Sequence, residues 1–265
     1  MNSSFAMNAA LALAWREIIR FFRQRSRIVG SIGTPLVFWL LFGAGLSSSF
    51  RMDAGERQQS FLTYFFPGSL LLIVLFTAIF SSISIIEDRR EGFLQGVLVA
   101  PISRGAIVLG KVTGGAVLAV VQAVLFLALA PFMGLTISAA TCVAVLLFLV
   151  LLGYALTALG FLIAWPLDST QGFHAIMSIF LFPMWLLSGA FFPAGDSGWL
   201  SWIIWANPLT YGVAGLRRLL YAGQLQVAPG FPPFGTCLTV TVIFCCVCLA
   251  LSAWLAERRT SRDTR

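Results

Sequence analysis

The residues in this chain whose types could do chemistry are few, and their spacing points away from catalysis. The segment Gly105-Ala-Ile-Val-Leu-Gly110-Lys111-Val112 falls one residue short of a phosphate-binding loop. Such a loop needs Ser or Thr directly after its lysine to hold magnesium, and a strand before it. Here Val112 follows the lysine and Pro101-Ile-Ser-Arg precedes the segment. Lys111 reads instead as a helix-end residue snorkelling to a membrane interface. Gly110 and Gly114 have the spacing of a close helix contact. The sequence contains no His-Glu-x-x-His zinc motif and no Gly-x-Ser-x-Gly elbow. The lone His174 reads as a polar packing residue. The cysteines Cys142, Cys237, Cys245, Cys246 and Cys248 lack acidic or histidine neighbours, and four of them share one apolar run. They read as thiols buried in an apolar phase. The chain itself is expected to hold no catalytic residue, metal or cofactor.

The one segment built for an interaction is Glu87–Arg104. Glu87-Asp88-Arg89-Arg90-Glu91 is an unbroken charge run, followed by Gly92 and then by Leu94, Val97 and Leu98 at i, i+3 and i+4. That spacing predicts a short helix with one apolar side. Pro101 stops it, and Ser103, just before Arg104, is placed to cap the next helix. So short an apolar stripe between charges either lies on lipid or fills a groove in a partner protein.

The elements that must position this segment are membrane helices. Of 265 residues, 59% are hydrophobic and 10% charged, and the mean hydropathy is +0.92. A soluble domain carries about 25% charged residues. Six apolar runs, roughly 28–50, 61–86, 106–132, 139–164, 171–192 and 233–256, are long enough to cross a bilayer. In lipid each must be helical. Basic residues set the orientation: 13 of the 17 Lys and Arg fall on the face that holds both termini and residues 87–105. The positive-inside rule makes that face cytoplasmic, and the +7 net charge reads as orientation rather than as nucleic-acid binding.

Residues 1–27 predict an amphipathic helix on the inner leaflet. Leu11, Trp15, Ile18 and Phe22 fall on one face, with Arg16, Arg20, Arg23 and Arg27 opposite and turned toward lipid phosphates. Between the fifth and sixth runs, residues 193–222 predict an outer hairpin too short to cross. Pro193 opens it, Trp199, Trp202 and Trp205 share a face, Asn207-Pro208 breaks it, and Tyr211 and the pair Arg217-Arg218 follow. The expected architecture is thus an all-α integral membrane protein. It has a cytoplasmic interface helix (1–27), a six-crossing domain (28–256) with a re-entrant hairpin before the last crossing, and a cytoplasmic tail (257–265). Trp39, Tyr64 and Phe65 are candidate aromatic lining for a transport path.

At these residues the sequence resembles a family. Glu-Asp-Arg-Arg-Glu-Gly-x-Leu and Ala-Pro-Ile-Ser-Arg, within 87–104, are similar to the cytoplasmic signature of ATP-binding-cassette type-2 permeases. Leu-Ser-Gly-Ala-Phe-Phe-Pro (187–193) and Ala-Asn-Pro-Leu-Thr-Tyr (206–211) are similar to its outer marker. These permeases are the membrane subunits of bacterial drug, lipid and polysaccharide exporters, and the daunorubicin-resistance type looks nearest. The resemblance implies a homodimer in the inner membrane, served by a separate ATPase subunit that binds ATP and magnesium. It makes residues 92–100 the coupling helix, with Glu87, Arg90 and Glu91 beside it. It makes the N-terminal helix an interface helix, and residues 168–171 a second, smaller contact. A stand-alone secondary transporter or channel is the competing reading, and an intramembrane enzyme has no visible catalyst.

The orientation is directly testable. In intact cells, Gly55→Cys and Ser197→Cys are expected to label from outside while Gln95→Cys stays unlabelled. Labelling of Gln95→Cys would reverse the topology.

Overall fold

Lipid offers the backbone no hydrogen-bond partner, so each apolar run must satisfy its own N–H and C=O groups by winding into helix. The computed structural model describes residues 3–46, 61–135, 137–191, 198–222 and 231–258, and among these it is all-helical. The helices are α1 (Ser3–Arg23), α2 (Arg25–Leu46), α3 (Phe61–Arg90), α4 (Phe93–Val99), α5 (Arg104–Leu127) and α6 (Ala139–Ala164). They continue with α7 (Thr170–Ala190), α8 (Trp199–Ala206), α9 (Pro208–Leu220) and α10 (Phe234–Arg258). Six of them, α2, α3, α5, α6, α7 and α10, are long and apolar enough to cross a membrane. Their bounds follow the apolar runs with two differences. α2 begins at Arg25, directly after α1, and α3 carries its helix through the charge run to Arg90. Residues 87–90 are therefore the last turn of a crossing helix, not the start of a loop.

α3 is the central column. It is buried along most of its length, with α2, α5 and α6 packed around it and α9 leaning on its first turns. Trp39, Tyr64 and Phe65 all lie inside this packing; Trp39 Nε1 donates to the Leu62 carbonyl at 3.1 Å. They are core residues, which withdraws them as path lining. Pro67 has no N–H to give the carbonyl four residues back. That carbonyl, Thr63 O, instead accepts the Tyr221 hydroxyl from the end of α9.

α7 is wound irregularly, with wide π-helical turns at Met177–Leu181 and Leu186–Ala190 and a left-handed Gly189 (φ 76°) near its end. Its freed carbonyls are capped from the hairpin. Asn207 Nδ2 donates to Met184 O at 2.5 Å and Arg217 Nη2 to Gly189 O at 3.2 Å. Within the hairpin, Asn207 Oδ1 accepts from Leu209 N at 3.0 Å, and Pro208 occupies the first position of α9, where a missing N–H costs nothing. Tyr211 donates to Trp205 O at 2.9 Å, while Trp202 is 80% exposed. Arg217 does not sit at a lipid interface. It is buried in the protein, stacked between the rings of Tyr64 and Phe231 and bonded to the Tyr64 and Gly189 carbonyls. Pro193 lies outside the described residues.

α1 packs along α5. Ala10, Leu13, Ala14, Glu17 and Phe21 are buried, while Leu11, Trp15, Ile19 and Phe22 face outward. Gly110 and Gly114 allow this approach. A Cβ on Gly110 would lie 2.7 Å from Ala10 O, and one on Gly114 would lie 2.8 Å from Glu17 Cβ. The glycine pair does mark a close helix contact, made with the N-terminal helix. Gly114→Leu is therefore expected to pry α1 from α5 at a cost of about 1–3 kcal/mol. Faster proteolytic release of α1 from the purified protein, with α3–α6 intact, is the readout.

Candidate functional site

Where α1, α3 and α5 meet, four cations and four carboxylates form one network. Its centre is Lys111 of α5, 5% exposed, whose Nζ donates to Glu17 of α1 and to Asp88 of α3. Glu17 is 3% exposed and Asp88 fully buried. Ser84, one turn before Asp88, donates to Glu17 Oε2 at 2.5 Å. Arg16 grips Asp88 with both amino groups at 2.8 and 3.0 Å, a bidentate geometry open to Arg and not to Lys. Arg20 reaches Asp88, Glu87 (2.6 Å) and Glu91 (3.4 Å), and Arg27 closes on Glu87. Half-burial works against the charge on Arg20. The carboxylates of Asp88, Glu87, Glu17 and Glu91 outweigh it and hold its pKa above the ordinary arginine value.

Two expectations are corrected here. Lys111 does not snorkel, because two buried carboxylates hold it inside. Of the four arginines expected to face lipid phosphates, Arg16, Arg20 and Arg27 turn inward to α3 carboxylates; Arg23 stays exposed. Burying an acid and its cation together is tolerable only when both are fully paired, and the helix carrying Arg16 and Arg20 is the one that supplies Glu17.

This network sets α4 in place. Gly92, left-handed at φ 76°, turns the chain sharply off α3, and Phe93 then lies under the Arg16 guanidinium at 3.5 Å. On the other side Arg90 donates to Asp168 O, and Arg89 donates to Trp165 O at 2.8 Å and pairs with Asp168 at 3.1 Å. The α6–α7 connection is thereby tied to the same end of α3. After Pro101, Ser103 caps α5 by accepting from Ala106 N at 3.3 Å, and Arg104 opens that helix.

The apolar stripe of α4 faces the rest of this protein. Leu94 is buried in the core, and Leu98 packs on that core while Val97 is half-buried. The reason is the turn at Gly92, which directs the i, i+4 pair back onto α3. What α4 offers to solvent is Gln95, Gly96 and Val99, the last 82% exposed, with Glu91 alongside. The sequence reading missed Glu17, Ser84 and Asp88. The available signal was Glu17 lying in register with Ala10, Leu13, Ala14 and Phe21, an acid on a small-residue stripe. His174 stands exposed beside Phe80, and the described cysteines are unpaired.

The Lys111 triad makes a quantitative prediction. Lys111→Met leaves two buried carboxylates without their cation and is expected to cost about 3–5 kcal/mol, read as thermal stability in detergent. Adding Glu17→Gln should recover part of that loss, and strictly additive effects would show that the pair does not interact.

Comparison with known proteins agrees with this geometry. The family model described as ABC-2 type transporter matches residues 8–221, from α1 through the hairpin. A chain carrying the name transport permease ycf38 in Cyanophora paradoxa is 29% identical over 223 residues, covering 83% of this chain and 76% of the relative. The daunorubicin resistance ABC transporter permease protein DrrB1 of Streptomyces coeruleorubidus is 23% identical over 227 residues, covering 82% and 76%. A probable multidrug ABC transporter permease of Escherichia coli K12, YbhR, is 33% identical over 137 residues, covering 50% and 36%. With signature segment, six crossing helices and matched length in agreement, the chain belongs to the ABC-2 type transporter membrane family and is a multi-pass membrane protein.

Proposed function

We propose that this chain is the permease subunit of an ATP-driven exporter in the bacterial inner membrane, with both termini cytoplasmic. A separate ATPase subunit drives it and binds the ATP and magnesium. The observation that carries this reading is α4. It is a seven-residue helix held between the Arg16–Asp88 grip and the Arg89–Asp168 tie, presenting Gln95, Gly96 and Val99 outward. A rigid, short, half-apolar helix at the end of the central column is a shape that can pass a push from a partner's groove straight into α3. The α6–α7 connection at Asp168, tied to Arg89 and Arg90, serves as the second contact.

The assembly is a homodimer. With α3 solidly packed inside one protomer, the cargo path runs between two copies. The cargo is a lipophilic drug or lipid rather than a polysaccharide, because Trp39, Tyr64 and Phe65, the aromatic residues expected to line the path, are buried in the core. A secondary transporter running on proton or cation coupling would need an unspent carboxylate along its path. The buried Glu17 and Asp88 are paired and lie at the charged end.

Charge placed on the exposed face of α4 separates partner docking from folding. Val99→Glu is expected to leave insertion and thermal stability unchanged, to cut ATPase retention on purification at least tenfold, and to abolish export. Leu98→Glu instead strikes the permease core and lowers stability. If Val99→Glu retains its ATPase at wild-type stoichiometry and exports normally, α4 is not the coupling element.

A further inference from the structure

Two cavities adjoin between α2, α3 and α7. One, about 230 Å³, is walled by Leu75, Phe76 and Ile79 of α3 and by Met177, Ser178 and Phe182 of α7. The other, about 300 Å³, is walled by Ser26 and Arg27 of α2, Ile83 and Glu87 of α3, and Thr170 at the start of α7. Phe80 and His174 line both, so the two run end to end. From Leu75 to Glu87 the cleft follows α3 for about 18 Å at 1.5 Å per residue. Its deep end is apolar and its mouth polar, at the level of the ion network.

The mouth also has a sign. Among the described residues Glu87 is the one carboxylate lining it, and both its oxygens are engaged, Oε1 by Arg27 and Oε2 by Arg20. A cationic head would find no free acceptor charge there. An anionic head would meet the Arg27 guanidinium, which spends one amino group on Glu87, with the Ser26 and Thr170 hydroxyls and the His174 imidazole as further donors. Arg25 stands exposed one residue beyond Ser26, and Asp88 and Glu91 are turned to Arg16, Arg20 and Lys111 rather than to the cleft. We propose that this cleft binds an anionic amphiphile, with its phosphate, carboxylate or sulfonate head at Arg27 and His174 and its apolar body along Phe76, Phe80, Met177 and Phe182.

Read as cargo, the amphiphile narrows the export function proposed above and rests on it. Binding itself needs no ATPase and is tested on the full-length permease alone. The probe is a diazirine-bearing long-chain fatty acid, with the amine of the same chain as control, in phosphatidylcholine nanodiscs. The acid is expected to crosslink to peptides containing 75–83 and 174–182, at least tenfold more than the amine. Arg27→Gln should weaken acid labelling about tenfold or more, the scale of one charge-assisted hydrogen bond. Because Arg27 also holds Glu87, a second variant is needed that leaves the ion pairs alone. Ser178→Trp fills the apolar half and should remove labelling while thermal stability stays within a few degrees of wild type.

Competition separates the sources. Loss of labelling on adding phosphatidylglycerol identifies a membrane lipid, and loss on adding a soluble anionic amphiphile such as taurocholate, with phosphatidylglycerol inert, identifies a free one. Equal labelling by acid and amine, or undiminished labelling of Ser178→Trp, would overturn the proposal. It would do so without touching the export reading, which stands or falls with ATPase retention on α4.

Discussion

A lysine with a carboxylate on either side, all out of water, is stable only while every charge is met, and much of this molecule is arranged to keep Lys111 met. α5 brings the lysine, α3 brings Asp88, and neither can supply the second acid. α1 must therefore dock, and it docks closely because Gly110 and Gly114 remove the side chains that would hold it off. With α1 docked, its arginines come within reach of Asp88 and Glu87, and Arg16 in turn covers Phe93. The position of α4 follows from a charge requirement several residues away.

The same logic, with carbonyls in place of carboxylates, governs the opposite end. Pro67 and the left-handed Gly189 free backbone oxygens in α3 and α7 that lipid cannot satisfy. The hairpin answers with Tyr221, Arg217 and Asn207, each donating to one or more carbonyls of those helices. The hairpin is held both by apolar burial of Leu209, Val213, Leu216 and Leu220 and by these polar donors. The two ends thus differ in chemistry. One is knit by ion pairs at the level of α4, the other by donors filling gaps in helix ladders.

Between the two ends the protein is a packed aromatic and aliphatic column. Phe61, Phe65, Trp185 and Phe191 interlock around the hairpin end of α3, with Phe66, Phe126 and Trp39 beside them. Such packing transmits displacement rather than absorbing it. Displacement of α4 therefore has a stiff route along α3 toward the hairpin.

The sequence by itself determined the number and approximate places of the crossings, because twenty apolar residues in lipid have no structure open to them but helix; that α3 stays helical through the charge run to Arg90 it did not. It also determined the short helix after Gly92, its stop at Pro101, the cap at Ser103 and the break at Asn207-Pro208, since each rests on chemistry within a few residues. The face that α4 presents was decided only by the tertiary structure. The i, i+3, i+4 stripe says that one side is apolar, and only the turn at Gly92 says that this side meets α3, leaving Val99 outside. The arginines of α1 were ambiguous in the same way: helical periodicity puts them on one face, and whether that face meets phosphate or carboxylate depends on where Asp88 lies. Lys111 lies 94 positions from Glu17 and 23 from Asp88, and Glu17 and Asp88 lie 71 apart. No local pattern can reveal that three charges so far apart in the chain will share one buried point; only the packing of α1 against α5 and α3 brings them there.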